Sequence, residues 1–145
     1  ITIVVKQISV FVENATGRLS TLTRALGNEG IDIIAICIAD TVDFGILRCI
    51  VTDPDKAVEV LKRNGFTASI TKVLAVEVDD TPGGLAKVLE CLSSESIGVD
   101  YVYSFIRARS EHALVLFKVD DTEKAIDVLQ RNDVPILCMD DIKKI

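Results

Sequence analysis

The 145-residue sequence has no tryptophan and a single histidine, and aromatic residues make up 5% of it. With His112 as the only histidine, His-rich metal sites and carboxylate–His–nucleophile relays share one candidate residue. The four cysteines, at positions 37, 49, 91 and 138, form neither a CxxC pair nor a zinc-ribbon spacing, which excludes metal chaperones of the CxxC type. They sit among apolar neighbours, as in Ile36-Cys37-Ile38 and Arg48-Cys49-Ile50. They read as small buried hydrophobes in a reducing, cytoplasmic compartment. No apolar run approaches the roughly 18 residues that span a bilayer. No basic region precedes a long apolar stretch, so no signal peptide is expected. Positive charge is also scarce. Sixteen Lys and Arg face twenty-two Asp and Glu, a net charge of −6. That argues against general nucleic-acid binding, which needs a cationic face.

What is present is apolar. Hydrophobic residues are 49% of the chain, too many for a disordered protein. The length allows one ordinary domain or two thin ones of about 70 residues.

An internal repeat decides between them. At a separation of 66 positions, Val10, Val12, Gly17, Leu19, Leu26 and Glu29 match Val76, Val78, Gly83, Leu85, Leu92 and Glu95. Two extra residues are expected near Ser94 to Ile97. At a separation of 68, Gly30, Asp32, Val51 and Asp53 then match Gly98, Asp100, Val119 and Asp121. The match is densest where Lys56, Ala57, Val60, Leu61, Arg63 and Asn64 face Lys124, Ala125, Val128, Leu129, Arg131 and Asn132. The chain therefore reads as two domains, residues 1–72 and 73–145, with almost no linker.

Each repeat carries the same periodicities. Ile8 to Val12 alternates, as a strand does. Leu19, Leu22, Ala25 and Leu26 recur at helical spacing, as do Leu85, Val88, Leu89 and Leu92. Gly30 and Gly98 are expected as the left-handed residues that end these helices. Ile33 to Ala39 and Ile46 to Thr52 flank the polar turn Asp40 to Gly45, a hairpin. Asp53-Pro54 reads as an N-cap with proline at the first helical position. Phe66 to Val73 is the last strand. The order β-α-β-β-α-β predicts two α+β, ferredoxin-like units, each an antiparallel four-stranded sheet with both helices on one face.

Asp79-Asp80-Thr81-Pro82-Gly83-Gly84-Leu85 joins a strand to a helix, and Ile97-Gly98-Val99-Asp100 leads into the next strand. This pattern resembles the ACT domain, a small regulatory module that binds amino acids and related metabolites. The first repeat resembles it through Asn14-Ala15-Thr16-Gly17-Arg18-Leu19 and Gly30-Ile31-Asp32-Ile33, with Thr16 where the second has Pro82. The resemblance implies a ligand held between two domains, by the loop of one and the start of the second strand of the other. By position that assigns Asn14, Ala15, Thr16, Gly17, Arg18 and Leu19 with Asp32 and Ile33 in one repeat. In the other it assigns Asp80, Thr81, Pro82, Gly83, Gly84 and Leu85 with Asp100 and Tyr101. Acids at three of the four polar places would suit an α-ammonium. The opening turn of a helix would suit a carboxylate. On the residues alone, helix capping and ligand binding account equally well for Asn14 and Asp80, and turn formation accounts better for Asp32.

Other features carry less. The pairs Asp79-Asp80, Asp120-Asp121 and Asp140-Asp141 fall at strand ends and fit helix entry and solvation better than acid–base chemistry. His112 is expected in the hairpin turn Ala108 to Ala113. Tyr101, Tyr103 and Phe105 alternate on one strand face where the first repeat has small aliphatics. No catalytic residue, metal site or cofactor is expected.

The resulting expectation is a non-enzymatic sensor of a free amino acid that acts on a partner such as an amino-acid pathway enzyme. The alternative is a ferredoxin-like module for RNA or protein without a small ligand. RNA binding would need stacking aromatics and a basic face, which the sequence lacks. A small acyl-phosphate hydrolase would need an arginine with the turn glycines in both repeats.

Side-by-side pairing of the two repeats through their second strands would require a link of about 29 Å, or about nine residues. Only two or three are free between the strands. This predicts a homodimer, or an exchanged strand formed by Ile1 to Val5.

Overall fold

A computed structural model describes residues 3–13, 15–40, 43–105 and 112–145, and for Asp40 its backbone only. The chain divides into two compact units. Lys6–Thr71 form the first, and Lys72–Ile145 with residues 3–5 form the second.

In the first unit, β1 (Val5–Glu13) alternates between a helix-facing set and an opposite set, so its β-branched residues point to one core. Gly17 then turns the chain with φ +88° into α1 (Arg18–Asn28). β2 (Ile33–Asp40) and β3 (Phe44–Val51) form the expected hairpin, whose turn residues 41 and 42 lie outside the described residues. Asp53 caps α2 (Pro54–Arg63) by accepting from the Lys56 N–H at 3.2 Å, with Pro54 in the first turn. The sheet order is β2-β3-β1 and then the first part of β4 (Thr67–Asp79). Ser9 and Thr71 link their hydroxyls across β1 and β4 at 2.9 Å. The core comprises Ile8, Val10, Val12, Leu22, Leu26, Leu47, Cys49, Val60 and Leu61 among others. Burying a leucine such as Leu26 stabilises the unit by roughly 2–3 kcal/mol.

The second unit repeats the plan. The later residues of β4 pair with β6 from Leu74–Phe117 to Asp79–His112. Then come α3 (Gly84–Ser94), β5 (Val99–Ser104), β6 (His112–Val119), α4 (Thr122–Arg131), β7 (Ile136–Leu137) and α5 (Met139–Lys143). The sheet runs β5-β6-β4, with β7 on the other side of β4. Both units have the antiparallel ferredoxin-like topology that the sequence predicts.

Several details differ from expectation. The strand that closes the first repeat and the strand that opens the second are one thirteen-residue strand, β4, with no link between them. The two extra residues do not lie near Ser94 to Ile97. In the first unit Ile33 pairs with Val51 and a bulge precedes Ala35. In the second Val99 pairs with Val119 and a bulge precedes Tyr101. Ile33 therefore corresponds to Val99, and the separation of 66 persists through β5. The extra residues fall between β5 and β6, where residues 106–111 lie outside the described set.

Consequently Gly98 does not end α3. Gly30 ends α1 with φ +70°, and Ile31 donates to the Leu26 carbonyl at 3.0 Å. The same place after α3 is taken by Ser96 with φ +58°, and Ile97 donates to Leu92 at 3.0 Å. Gly98 serves another purpose. Its N–H donates to Asp120 at 3.0 Å, and a Cβ there would stand 2.7 Å from that carboxylate oxygen. The acidic pair 120–121 thus anchors a strand start and, through Asp121 accepting from Lys124, caps α4.

The dense identity between the repeats also has a structural origin. Lys56 donates to the Glu29 carbonyl and Lys124 to the Glu95 carbonyl, at the ends of α1 and α3. Arg63 and Arg131 pair with the carboxylates of Glu29 and Glu95 at 3.7 and 3.8 Å. Asn64 and Asn132 each donate to the carbonyl four residues earlier at 2.8 Å. This clamp holds the second helix of each unit on the end of the first.

All four cysteines are free thiols, and only Cys49 is fully buried. Burial, with a smaller contribution from Cys37, pushes the Cys49 thiol up to about 12, which keeps it protonated and unreactive. Cys138 donates its thiol to Asp141 at 3.1 Å at the start of α5.

Candidate functional site

The two glycine loops are built alike. Gly17 (φ +88°) and Gly83 (φ +84°) stand at the N-terminal ends of α1 and α3, and no side chain caps either helix. The left-handed conformation suits glycine because a Cβ there crowds the carbonyl that follows. Arg18 N–H donates to Ala15 and Gly84 N–H to Thr81, so each loop closes the same turn. Ala15, Thr16, Gly17, Asp80, Thr81, Pro82 and Gly83 are exposed. Asn14 lies outside the described residues. The uncapped N–H groups of the first turn can bind an anion such as a carboxylate.

Leu19 and Leu85 begin the apolar stripes of their helices, yet they do not join the cores. They are 39% and 38% exposed, whereas Leu22, Leu26 and Leu92 are fully buried. Each leaves an apolar side chain in solvent one residue into a helix that no side chain caps.

The strand-start residues lie elsewhere. In each unit the loop adjoins the end of the sheet where Phe44 or His112 begins a strand, and Asp32 or Gly98 adjoins the end where Val51 or Val119 finishes it. Seven residues of strand separate those ends, about 23 Å. One unit therefore does not bring its own loop and its own strand start together. The correspondence of Asp32 with Asp100 is also corrected, because Asp32 matches Gly98 and Asp100 matches Ile34. Asp32 is exposed and its N–H donates to Thr52 at 3.1 Å. Asp100 is exposed and pairs with Lys118 at 3.3 Å. Ile33 and Tyr101 are half-buried, and the Tyr101 ring stacks near Tyr103 with centroids 6.4 Å apart.

His112 is a strand residue at the start of β6 rather than part of a turn. Its Nδ1 stands 3.7 Å from Asp79, an ion pair only when the imidazole is protonated. Among the described residues, no group of three His, Cys, Asp or Glu could hold a metal ion. No helix among them is long and apolar enough to cross a membrane.

Two hollows were not foreseen. An open groove of about 760 Å³ runs along α1 past Ser20, Thr23, Arg24, Asn28 and Asn64. Its hydroxyls at Ser20, Thr21 and Thr23 already donate to helix carbonyls. The second hollow, of about 310 Å³, lies wholly in the second unit. It is bounded by the end of β4 (Glu77, Asp79), the first turns of α3 (Gly84, Lys87, Val88, Cys91) and residues 132–135 before β7. In the first unit the matching places hold Arg18 and Phe66 in place of Gly84 and Val134, and the Arg18 guanidinium lies over the Phe66 ring at 4.2 Å. The sequence signal was present in those two substitutions between repeats.

Two tandem α+β units of ferredoxin-like topology, each opening its first helix on a left-handed glycine, define the chain as a paired small-domain protein. It belongs to the ACT domain pair family, whose model matches residues 3–145. A crystal structure of a Bacteroides thetaiotaomicron protein is 43% identical and superposes with a TM-score of 0.92, covering 99% of this chain and 98% of that one. The ligand-free regulatory subunit of aspartate kinase from Thermus thermophilus shares the fold at 17% identity, with a TM-score of 0.64 and coverage of 87% and 91%. The corresponding subunit from Thermus flavus does so at 19% identity and a TM-score of 0.62, with coverage of 86% and 88%. A search of curated proteins finds no match.

Proposed function

We propose that the chain is a non-enzymatic sensor of a free amino acid. The ligand binds between ACT domains. The loops Ala15 to Leu19 and Asp80 to Leu85, with Asn14, hold its carboxylate at an uncapped helix start. Asp32 and Ile33, or Asp100 and Tyr101, meet it from a second domain. The observation that carries this reading is the pair of uncapped helix starts, each with an exposed leucine, about 23 Å from the strand start of its own unit. A second domain is needed to complete either site, and a second copy of the chain would supply it as a homodimer. Binding would favour one domain arrangement and so alter contact with a partner, such as an amino-acid pathway enzyme. The likeness of fold to regulatory subunits of aspartate kinase agrees with that kind of role. Four free thiols fit a cytoplasmic setting.

Calorimetric titration with the twenty amino acids tests the reading, and heat from at least one is expected. Silence from all twenty, with tight RNA binding instead, would overturn it. A monomeric mass by light scattering at micromolar concentration would count against the dimer.

One observation favours a protein-interaction role. Phe11 and Phe44 are 52% and 39% exposed and meet with their rings tilted at 57° and centroids 5.4 Å apart, where the second unit has Glu77 and His112.

A further inference from the structure

Three differences between the repeats shape the cavity of the second unit. Gly84 stands for Arg18, and Val134 for Phe66, so the cation–ring stack that fills this place in the first unit is missing. Pro135 stands for Thr67, and β7 pairs with β4 through only two residues, Ile136 and Leu137. The edge of β4 beyond Val76 therefore meets residues 133–135 instead of a continuing strand, with Glu77 N–H donating to the Pro135 carbonyl at 3.0 Å. Gly84 is also confined sterically, because a Cβ there would collide with the Asp79 carbonyl oxygen.

The lining has diverged along with the shape. Glu77, Lys87, Cys91 and Asp133 stand where the first repeat has Phe11, Thr21, Ala25 and Gly65. Here Glu77, Asp79, Asp133 and Lys87 are among the residues that line a hollow of about 310 Å³. That size and mixture of charge are those of a small-molecule pocket with a few converging polar groups. The three acidic residues and one lysine of the lining, with His112 3.7 Å from Asp79, disfavour simple anions. They accommodate a molecule with its own ammonium, and Lys87 provides a counter-charge for a carboxylate.

We propose that this cavity is a binding site within the second unit for a small zwitterion of the α-amino-acid class, its ammonium at Glu77 and Asp79 and its carboxylate at Lys87. The ligand class rests on the sensor reading above, but the location does not. This site needs no second domain. In the first unit Arg18 and Phe66 fill the place beside Gly84 and Val134, and the groove past Thr21, Ala25 and Asn64 matches only the side formed by Lys87, Cys91 and Asn132. The two repeats would then differ in ligand capacity as well as in sequence.

The test is a residue-resolved NMR titration of the full chain with each of the twenty amino acids at millimolar concentration, repeated on V134F and K87T. Both variants install the residue of the first repeat. Val134→Phe fills the hollow, and Lys87→Thr changes an exposed side chain that the fold does not need. The expected result is a set of shifts at residues 87–91 and 132–135 with one amino acid, and at least about tenfold weaker affinity in each variant. Shifts confined to residues 15–19 and 80–85, unchanged in both variants, would overturn the proposal and leave the site between domains standing. Shifts at the cavity alone would support it and overturn the site between domains. No shift with any of the twenty would overturn both.

Discussion

Cys49 and Phe117 hold the same place in two sheets. Cys49 pairs with Ile8 and Ile36, and Phe117 with Leu74 and Val102, and both are fully buried. One unit fills its centre with a small thiol side chain of two heavy atoms and the other with a ring. The helix above compensates in part, since Leu22 of α1 is matched by Val88 of α3. The repeat thus preserves the direction of packing, and part of the volume, rather than particular side chains. Truncation should expose the difference. Phe117→Ala is expected to destabilise the second unit by about 4 kcal/mol, through lost burial and the cavity left behind. Cys49→Ala should cost the first unit about 1 kcal/mol, as only one heavy atom leaves. Hydrogen exchange read residue by residue separates the two cores. Equal losses would mean that the units do not have the distinct centres described here.

The comparison sharpens at the helix starts. Gly84→Ala forces a Cβ against the Asp79 carbonyl oxygen, and the backbone must shift to relieve it. A loss of about 2 kcal/mol is expected, in the range of overpacking. At the matching place Arg18→Ala removes only the stack on Phe66, a loss of about 1 kcal/mol. Chemical denaturation of both variants measures the pair. A Gly84→Ala protein as stable as the parent would show that the loop relaxes freely.

Much of this architecture was legible in the sequence, because alternation and helical spacing recur twice and agree. Asp53 and Asp121 were legible as caps for the same reason. The short helix α5 was not, as five residues after a two-residue strand carry too little periodicity. The register between the repeats slipped at one place. Gly30-Ile31-Asp32 and Gly98-Val99-Asp100 look alike, yet Gly30 bends a helix end and Gly98 admits a carboxylate. The loops at Gly17 and Gly83 were readable, since a left-handed turn leaves a glycine behind. The cavity was harder to see, because it is defined by the side chains that the second repeat lacks.

The slipped register yields the smallest effect and the most direct test. Ser96 occupies a left-handed position that costs a residue with a Cβ about 1 kcal/mol, and Gly30 does so without that cost. The hydrogen bonds are the same in both, from Ile31 to Leu26 and from Ile97 to Leu92. Relief of the strain should therefore be transferable. Ser96→Gly is expected to stabilise the second unit by somewhat under 1 kcal/mol, because added freedom in the unfolded chain offsets part of the gain. Gly30→Ser should destabilise the first by a similar amount. Gly98→Ala should behave differently. Its Cβ would meet the Asp120 carboxylate, so the loss should track that hydrogen bond and shrink in an Asp120→Ala background. If Gly98→Ala were instead independent of Asp120 and Ser96→Gly without effect, glycine 98 would be the helix terminator after all, and the alignment of the two units would return to the longer separation.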